Sequence, residues 1–284
     1  KTLALVFLAL NPAVGWQFLR LGYGCCQTGK KRSAAPQLAG LQRGPRVAVF
    51  GGRGFIGSRV CRTLLEAGSE VVSVSLSSAP PEWAKEEPWV QQVEWLSTDS
   101  AKSSLGQLDA AVSCVGNLRP SSSWDGFWGL HWDDEELCRQ NGDVNERIAE
   151  AAQRAGAQRF AYVSVSSDVA FAYGGALEGY IKGKKQSEAA VRKMYGDGAV
   201  ILGPSIVYGG GRFAAVGKAY EAITNSIFVK LILSLLASLQ TLSAAADRPW
   251  QQPQDMVTKV ALTPPVDVDT AARVILHIIY RQLQ

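Results

Sequence analysis

A chain of 284 residues is long enough to bury one large core or two small ones, which excludes a miniprotein stapled by disulfides or metal. Apolar residues make up 47% and charged residues 19%, a balance that excludes wholesale disorder. The formal charge of +4 is unevenly placed. Lys1, Arg20, Lys30, Lys31, Arg32, Arg43 and Arg46 are basic with no acid before Glu66, and without them 22 bases face 25 acids, which argues against nucleic acid as a partner.

The chain opens on Lys1 rather than Met, and residues 3–19 are apolar but broken by Asn11 and Pro12. An acid-free stretch carrying Lys30–Arg32 follows. Residues 1–44 read as the remains of an organelle-targeting or signal-type leader, with a membrane-anchoring helix as the alternative. Residues 45–284 read as a single domain.

That domain opens with an apolar run, RVAVF, then GGRGFIG, then the helical SRVCRTLLEAG. Strand, glycine turn and helix begin a dinucleotide-binding fold. Further strands are expected at EVVSVSL (70–76), VEWLS (93–97), DAAVSCVG (109–116), RFAYVSVSS (159–167) and in AVILGPSIVYGGG (199–211). Helices are expected over 141–156 and over the segment that Gly196 closes. This alternation predicts an α/β fold, a Rossmann-type doubly wound parallel sheet, with a small, mainly helical C-terminal cap from about residue 205. Residues 226–239 form an apolar stretch interrupted by Lys230, read as core or a lipid-facing lid. Residues 263–280 read as a short extended segment, an Asp-capped start and a closing amphipathic helix.

Within GGRGFIG, Gly52, Gly54 and Gly57 give GxGxxG, and Gly51, Gly54 and Gly57 give GxxGxxG. Placed between strand and helix, the turn of Gly51, Gly52, Arg53, Gly54, Phe55, Ile56 and Gly57 lets backbone N–H groups approach a pyrophosphate at the positive helix end. An NAD site normally has Asp or Glu at the end of the second strand. This strand ends on Ser75, Ser77 and Ser78 without an acid, and Arg53 is available to a 2′-phosphate, so NADP(H) is favoured over NAD(H); the other reading leaves Arg53 in solvent. Asp99, after the third strand, can accept the adenine amino group or be a solvated loop residue.

Tyr180 and Lys184 form the one YxxxK of the chain. Four residues apart, they share a helix face, after the fifth strand, whose C-terminal end opens toward the cofactor crevice. A nearby ammonium is expected to lower the phenol's pKa. Tyr180 could then exchange a proton with a hydroxyl or carbonyl while the nicotinamide exchanges hydride, and Lys184 could also grip the ribose. Five scattered cysteines without CxxC, and only His131 and His277, give poor support to zinc or a His-based triad.

VFGGRGFIG, DAAVSCVG, Asn141 with the run to RFAYVSVSS, YIKGK and ILGPSIVYG together resemble an atypical or extended short-chain dehydrogenase/reductase (SDR), from about Arg46 to Ile279. VSCVG, GYIKGKKQSEAAV and TPPVDVDTAA resemble its organellar group, which includes the nucleotide-binding accessory subunit of respiratory complex I and the SDR associated with coenzyme Q biosynthesis. The resemblance implies that Gly51, Gly54 and Gly57 form the pyrophosphate turn and that Asp99 meets the adenine. Val115 and Gly116 would lie under the cofactor, and Tyr180 with Lys184 would be the catalytic pair. The family's catalytic serine falls at Val165, which leaves Ser164 and Ser166 on either side as the candidates for its hydroxyl, and its arginine after the sixth strand falls at Gly203. Asn141 matches a helix-packing asparagine.

Two functions follow from this resemblance. One is an oxidoreductase or epimerase-like enzyme acting on a quinone or isoprenoid-like molecule, with residues 226–239 covering its pocket. The other is a non-catalytic subunit of a membrane-associated respiratory or quinone-synthesis complex, pinned by bound nucleotide, to which the tryptophan-bearing segment 121–136 would be a docking surface or a disordered loop. In either case the expected location is an organelle, the matrix side of the mitochondrial inner membrane ahead of the plastid.

Overall fold

A computed structural model describes residues 44–118, 133–167, 170, 177–211, 218–219 and 265–283. The leader, the tryptophan segment 121–132 and the apolar stretch 226–239 lie outside the described residues.

Six strands form one sheet: β1 (Arg46–Phe50), β2 (Glu70–Ser75), β3 (Glu94–Ser97), β4 (Ala110–Ser113), β5 (Arg159–Val163) and β6 (Ala199–Leu202). Every pairing is parallel, in the order β3-β2-β1-β4-β5-β6. Register follows the apolar runs, with Ala48 opposite Val72 on one side and Ala111 on the other. The sheet is the doubly wound one expected from the sequence, with its order reversing between β1 and β4, where such folds open a ligand crevice.

A central parallel strand is buried on both faces, which is why RVAVF reads as continuously apolar. Val47 and Val49 enter one core with α1 (Phe55–Glu66) and the closing helix; Ala48 and Phe50 enter the other. That second core is completed by α2 (Thr98–Ser104), α4 (Asp143–Arg154) and α5 (Glu178–Tyr195), the short α3 (Asp134–Asn141) packing beside α5. In α1 the positions Val60, Cys61 and Leu64 are fully buried, at the spacing of one helix face.

The closing helix, α6 (Val268–Leu283), starts where Asp267 caps it, its Oδ1 accepting from the backbone N–H groups of Asp269 at 3.0 Å and Thr270 at 3.2 Å. Its Ala272, Ile275 and Ile279 are buried against α1, so this helix belongs to the layer flanking the sheet. Truncating either isoleucine to Ala costs about 2–5 kcal/mol. A two-stranded parallel ladder, β7 (Val207–Tyr208) with β8 (Val266–Asp267), leads into it. Arg46, counted above with the basic N-terminal residues, is instead a base-of-sheet tie: its guanidinium pairs with Glu70 and with Glu94 at 2.8 Å. No helix among the described residues is long and apolar enough to cross a membrane.

Candidate functional site

The glycine turn stands at the exit of β1. Gly51 has φ +79°, which a side chain rarely adopts, and its N–H donates to the Val74 carbonyl at 2.7 Å. The chain then folds back, Gly54 N donating to Gly51 O at 2.9 Å. Gly57 begins the buried side of α1, where a Cβ would overlap the Gly51 carbonyl. Gly52 is buried against Ser73 and Cys61. Gly54, the N-cap of α1, is exposed, and Phe55 and Ile56 in the first turn are half-buried. Among the described residues no side chain caps this helix end, and its first turn contains no acid. An open, acid-free helix N-terminus behind a backbone of small residues is an anion site, so these residues fit the pyrophosphate of a dinucleotide.

Arg53 lies beside the end of β2, its backbone N–H donating to Ser75 Oγ at 3.3 Å. Its side-chain Nε is buried and finds no hydrogen-bond partner among the described residues. Leu76, the residue after β2, is 91% exposed, so the place where an NAD site presents a carboxylate carries an apolar side chain. Asp99 stands in the first turn of α2, strongly exposed and paired with Lys102 at 2.9 Å. That ion pair holds its carboxyl below the usual range.

On the other side of the crevice, α5 presents Tyr180 and Lys184 one turn apart. A close approach of α3 and α5 places them, since a Cβ on Gly183 would stand 2.7 Å from the Cys138 carbonyl. The Lys184 side chain is buried, and its Nζ donates to the carbonyls of Val163 at 3.0 Å and Val115 at 3.3 Å, joining the exits of β5 and β4. It lies directly under Gly116, where a Cβ would come within 3.0 Å of Nζ. Burial lowers this ammonium to about 8, against the opposing influence of Cys114 and Glu188. Its Nζ is 4.9 Å from the Tyr162 ring centroid and 5.7 Å from that of Tyr180.

The expected lowering of the Tyr180 phenol is corrected here: burial pushes it up to about 12, because desolvation outweighs an ammonium at that distance. At neutral pH the Tyr180 phenol therefore stays protonated. Val165 is half-buried, between buried Ser164 and Ser166. Ser164 turns its hydroxyl to Glu188, donating to Oε1 at 2.6 Å, so its proton is already committed. Ser166 closes the strand exit through its backbone, its N–H donating to Pro204 O at 3.0 Å.

A buried polar network, of which the sequence singles out only Asn141 as a packing residue, holds the loop 115–117 after β4. Asn141 donates to the carbonyls of Asn117 at 2.8 Å and Leu137 at 2.9 Å and accepts from Asn117 N at 3.0 Å. Asn145, one turn later, donates to Val115 O and accepts from Ser113 Oγ at 2.6 Å, while Ser187 donates to Asn141 O at 2.6 Å. The i, i+4 spacing of the asparagines was the available signal; their burial was not readable from it.

Residues 47–258 match the model of the NAD dependent epimerase/dehydratase family. The chain belongs to that family. Among its relatives is a chloroplastic protein of Arabidopsis thaliana, itself uncharacterized, 29% identical over 82% of this chain and 70% of the relative. MIOREX complex component 2 of Saccharomyces cerevisiae is 40% identical over 60 residues, which cover 20% of this chain and 22% of that protein. Among solved structures, the Bordetella bronchiseptica enzyme WbmH in complex with NAD+ superposes with a TM-score of 0.50 at 16% identity, over 83% of this chain and 72% of that one. This last likeness extends to the fold.

Proposed function

We propose that this member of the epimerase/dehydratase family binds a nicotinamide dinucleotide, NADP(H) in preference to NAD(H), and reduces the carbonyl of an apolar, quinone-like or isoprenoid-like molecule in an organelle. The observation that carries the reading is the exposed, acid-free N-terminus of α1 behind the Gly51–Gly57 turn. The cofactor in the complex with the Bordetella enzyme supports the same ligand class. Preference for a 2′-phosphate rests on the absent acid at the end of β2 and on the buried Arg53 Nε, which has no hydrogen-bond partner among the described residues, a guanidinium being suited to phosphate.

When bound, the nicotinamide supplies the hydride. Tyr180, held protonated by burial, gives its proton to the oxygen being reduced, and Lys184 fixes the floor of the crevice through Val115 and Val163. Exposed Leu118, beyond β4, and Ile206, beyond β6, are apolar contacts available to such a substrate. The organellar assignment draws on the chloroplastic relative and on the basic, acid-free N-terminal segment; the link to quinone metabolism draws on the sequence resemblance.

One observation favours a non-catalytic accessory subunit of a membrane-associated complex, such as respiratory complex I. Val165 supplies no hydroxyl to polarise a carbonyl, and the hydroxyl of Ser164 is engaged by Glu188. The two readings separate on adding short-chain quinones or isoprenoid aldehydes to the nucleotide-loaded chain. Consumption of reduced nucleotide that depends on Tyr180 establishes the enzyme. Nucleotide that stays bound and unreacted favours the subunit.

A further inference from the structure

Helix α5 presents three functional groups in successive turns of one face, Tyr180, Lys184 and Glu188. Lys184 holds the carbonyl of Val163, the last residue of β5. The next residue, Ser164, donates to Glu188 Oε1 at 2.6 Å, the short distance of a hydroxyl bound to a carboxylate. Two adjacent residues of one strand end are therefore gripped by two adjacent turns of one helix. The strand end is itself fixed, since Ser164 N donates to Leu202 O at 2.7 Å on β6. Glu188 is steadied from the outer side by Arg192, whose Nη2 lies 3.2 Å from Oε2.

We propose that Glu188 is a positioning residue for the Tyr180–Lys184 pair, anchoring α5 to the β5 exit through Ser164 and placing a negative charge one turn beyond the Lys184 ammonium. This rests on the reading of α5 as one wall of a dinucleotide site. The ammonium is buried, and a buried cation requires a compensating anion. The titratable groups that face it are Cys114 at the exit of β4, Tyr162 on β5, and Tyr180 and Glu188 on α5. Burial keeps the thiol and both phenols protonated at neutral pH. Glu188 is then the group among them that supplies charge, and the same carboxylate sets the helix against the strand.

The test is a side-chain carbon NMR titration of the full chain with isotopically labelled lysine, Lys184 being assigned by Lys184→Arg, with NADPH affinity measured on the same samples. The unaltered chain should show a Lys184 midpoint of about 8. Glu188→Gln should lower that midpoint by roughly one pH unit and weaken NADPH binding by roughly tenfold, with the circular dichroism of a folded chain. Ser164→Ala keeps the charge and cuts the anchor; it should weaken NADPH binding while leaving the midpoint near its original value. If Glu188→Gln changes neither midpoint nor affinity, the proposal is overturned. If Glu188→Gln does not fold, unchanged affinity in Ser164→Ala overturns the anchoring role. A midpoint that falls in Glu188→Gln, in a chain that binds no nucleotide even unaltered, supports the hold of Glu188 on Lys184 and overturns the dinucleotide reading instead.

Discussion

Gly57 packs so closely on Gly51 that a Cβ on Gly57 would overlap the Gly51 carbonyl oxygen. Gly54, between them, is exposed with φ −72°, and a Cβ there would stand 3.0 Å from the same carbonyl oxygen, a tight contact that a small shift relieves, unlike the overlap at Gly57. The two glycines therefore predict different failures. Gly57→Ala must push α1 from β1 and should destabilise the fold by about 1–3 kcal/mol, read as a lowered denaturation midpoint. Gly54→Glu should lower that midpoint less than Gly57→Ala does and abolish nucleotide binding, because it sets a carboxylate where the pyrophosphate belongs.

Arg53→Ala removes the guanidinium of a residue whose backbone N–H bonds Ser75 at the end of β2. NADPH affinity should fall by roughly tenfold or more, the worth of a hydrogen bond to a charged group, while NADH affinity should change little. Titration of both nucleotides by fluorescence gives the ratio, and equal losses for the two would assign Arg53 to the pyrophosphate rather than to the 2′-phosphate.

Tyr180→Phe keeps the ring against Lys184 and removes the proton. Turnover should fall by about 10²–10⁴-fold with nucleotide affinity retained. Stopped-flow consumption of bound NADPH by a quinone measures the first, and equilibrium titration the second.

Stability should depend on pH in a defined way. Lys184 titrates at about 8 when folded, against an ordinary 10.5. Between those values the unfolded chain holds a proton that the folded chain has released, so this lysine's contribution grows with pH across the window and is lost as pH falls through about 8. Buried Cys61 and Cys114 act oppositely. Burial pushes both thiols up from an ordinary 9.0, Cys114 to about 12, so the folded chain keeps protons that the unfolded chain loses, and stability falls above pH 9. Urea midpoints should therefore rise between about pH 8 and 9 and decline beyond it. Lys184→Met should remove the rise, whose slope is about 1.4 kcal/mol per pH unit at most, and leave the decline.

Much of this architecture is legible in the sequence because its signals are local. RVAVF is apolar throughout because both faces of β1 are covered, and the glycines follow it where the backbone must turn, so strand, turn and helix read directly from residues 46–66. The parallel sheet followed from the alternation of elements, whereas its order β3-β2-β1-β4-β5-β6 emerges only in the fold. What was not legible depends on burial and on partners distant in sequence. The Tyr180–Lys184 spacing gave the shared face, yet the rise of the Tyr180 pKa reflects desolvation that spacing does not encode. Ser164 was a candidate to polarise the substrate, and only the fold shows its hydroxyl turned to Glu188, 24 residues away. Asn145 and Ser113 gave no sign of their pairing, because β4 and α4 meet only when the sheet forms.

The glycine turn either holds a dinucleotide or it does not, and every role assigned to Arg53, Tyr180 and Lys184 depends on which. The decisive measurement is to purify the full chain and its Gly54→Glu variant, denature each, and quantify the nucleotide released by chromatography and mass spectrometry, with titration of added NADPH and NADH on the same preparations. NADP(H) released from the unaltered chain, or bound by it on titration, and absent from the folded variant is the predicted result. A folded, unaltered chain that releases no nucleotide and binds neither NADPH nor NADH would contradict the account at its foundation.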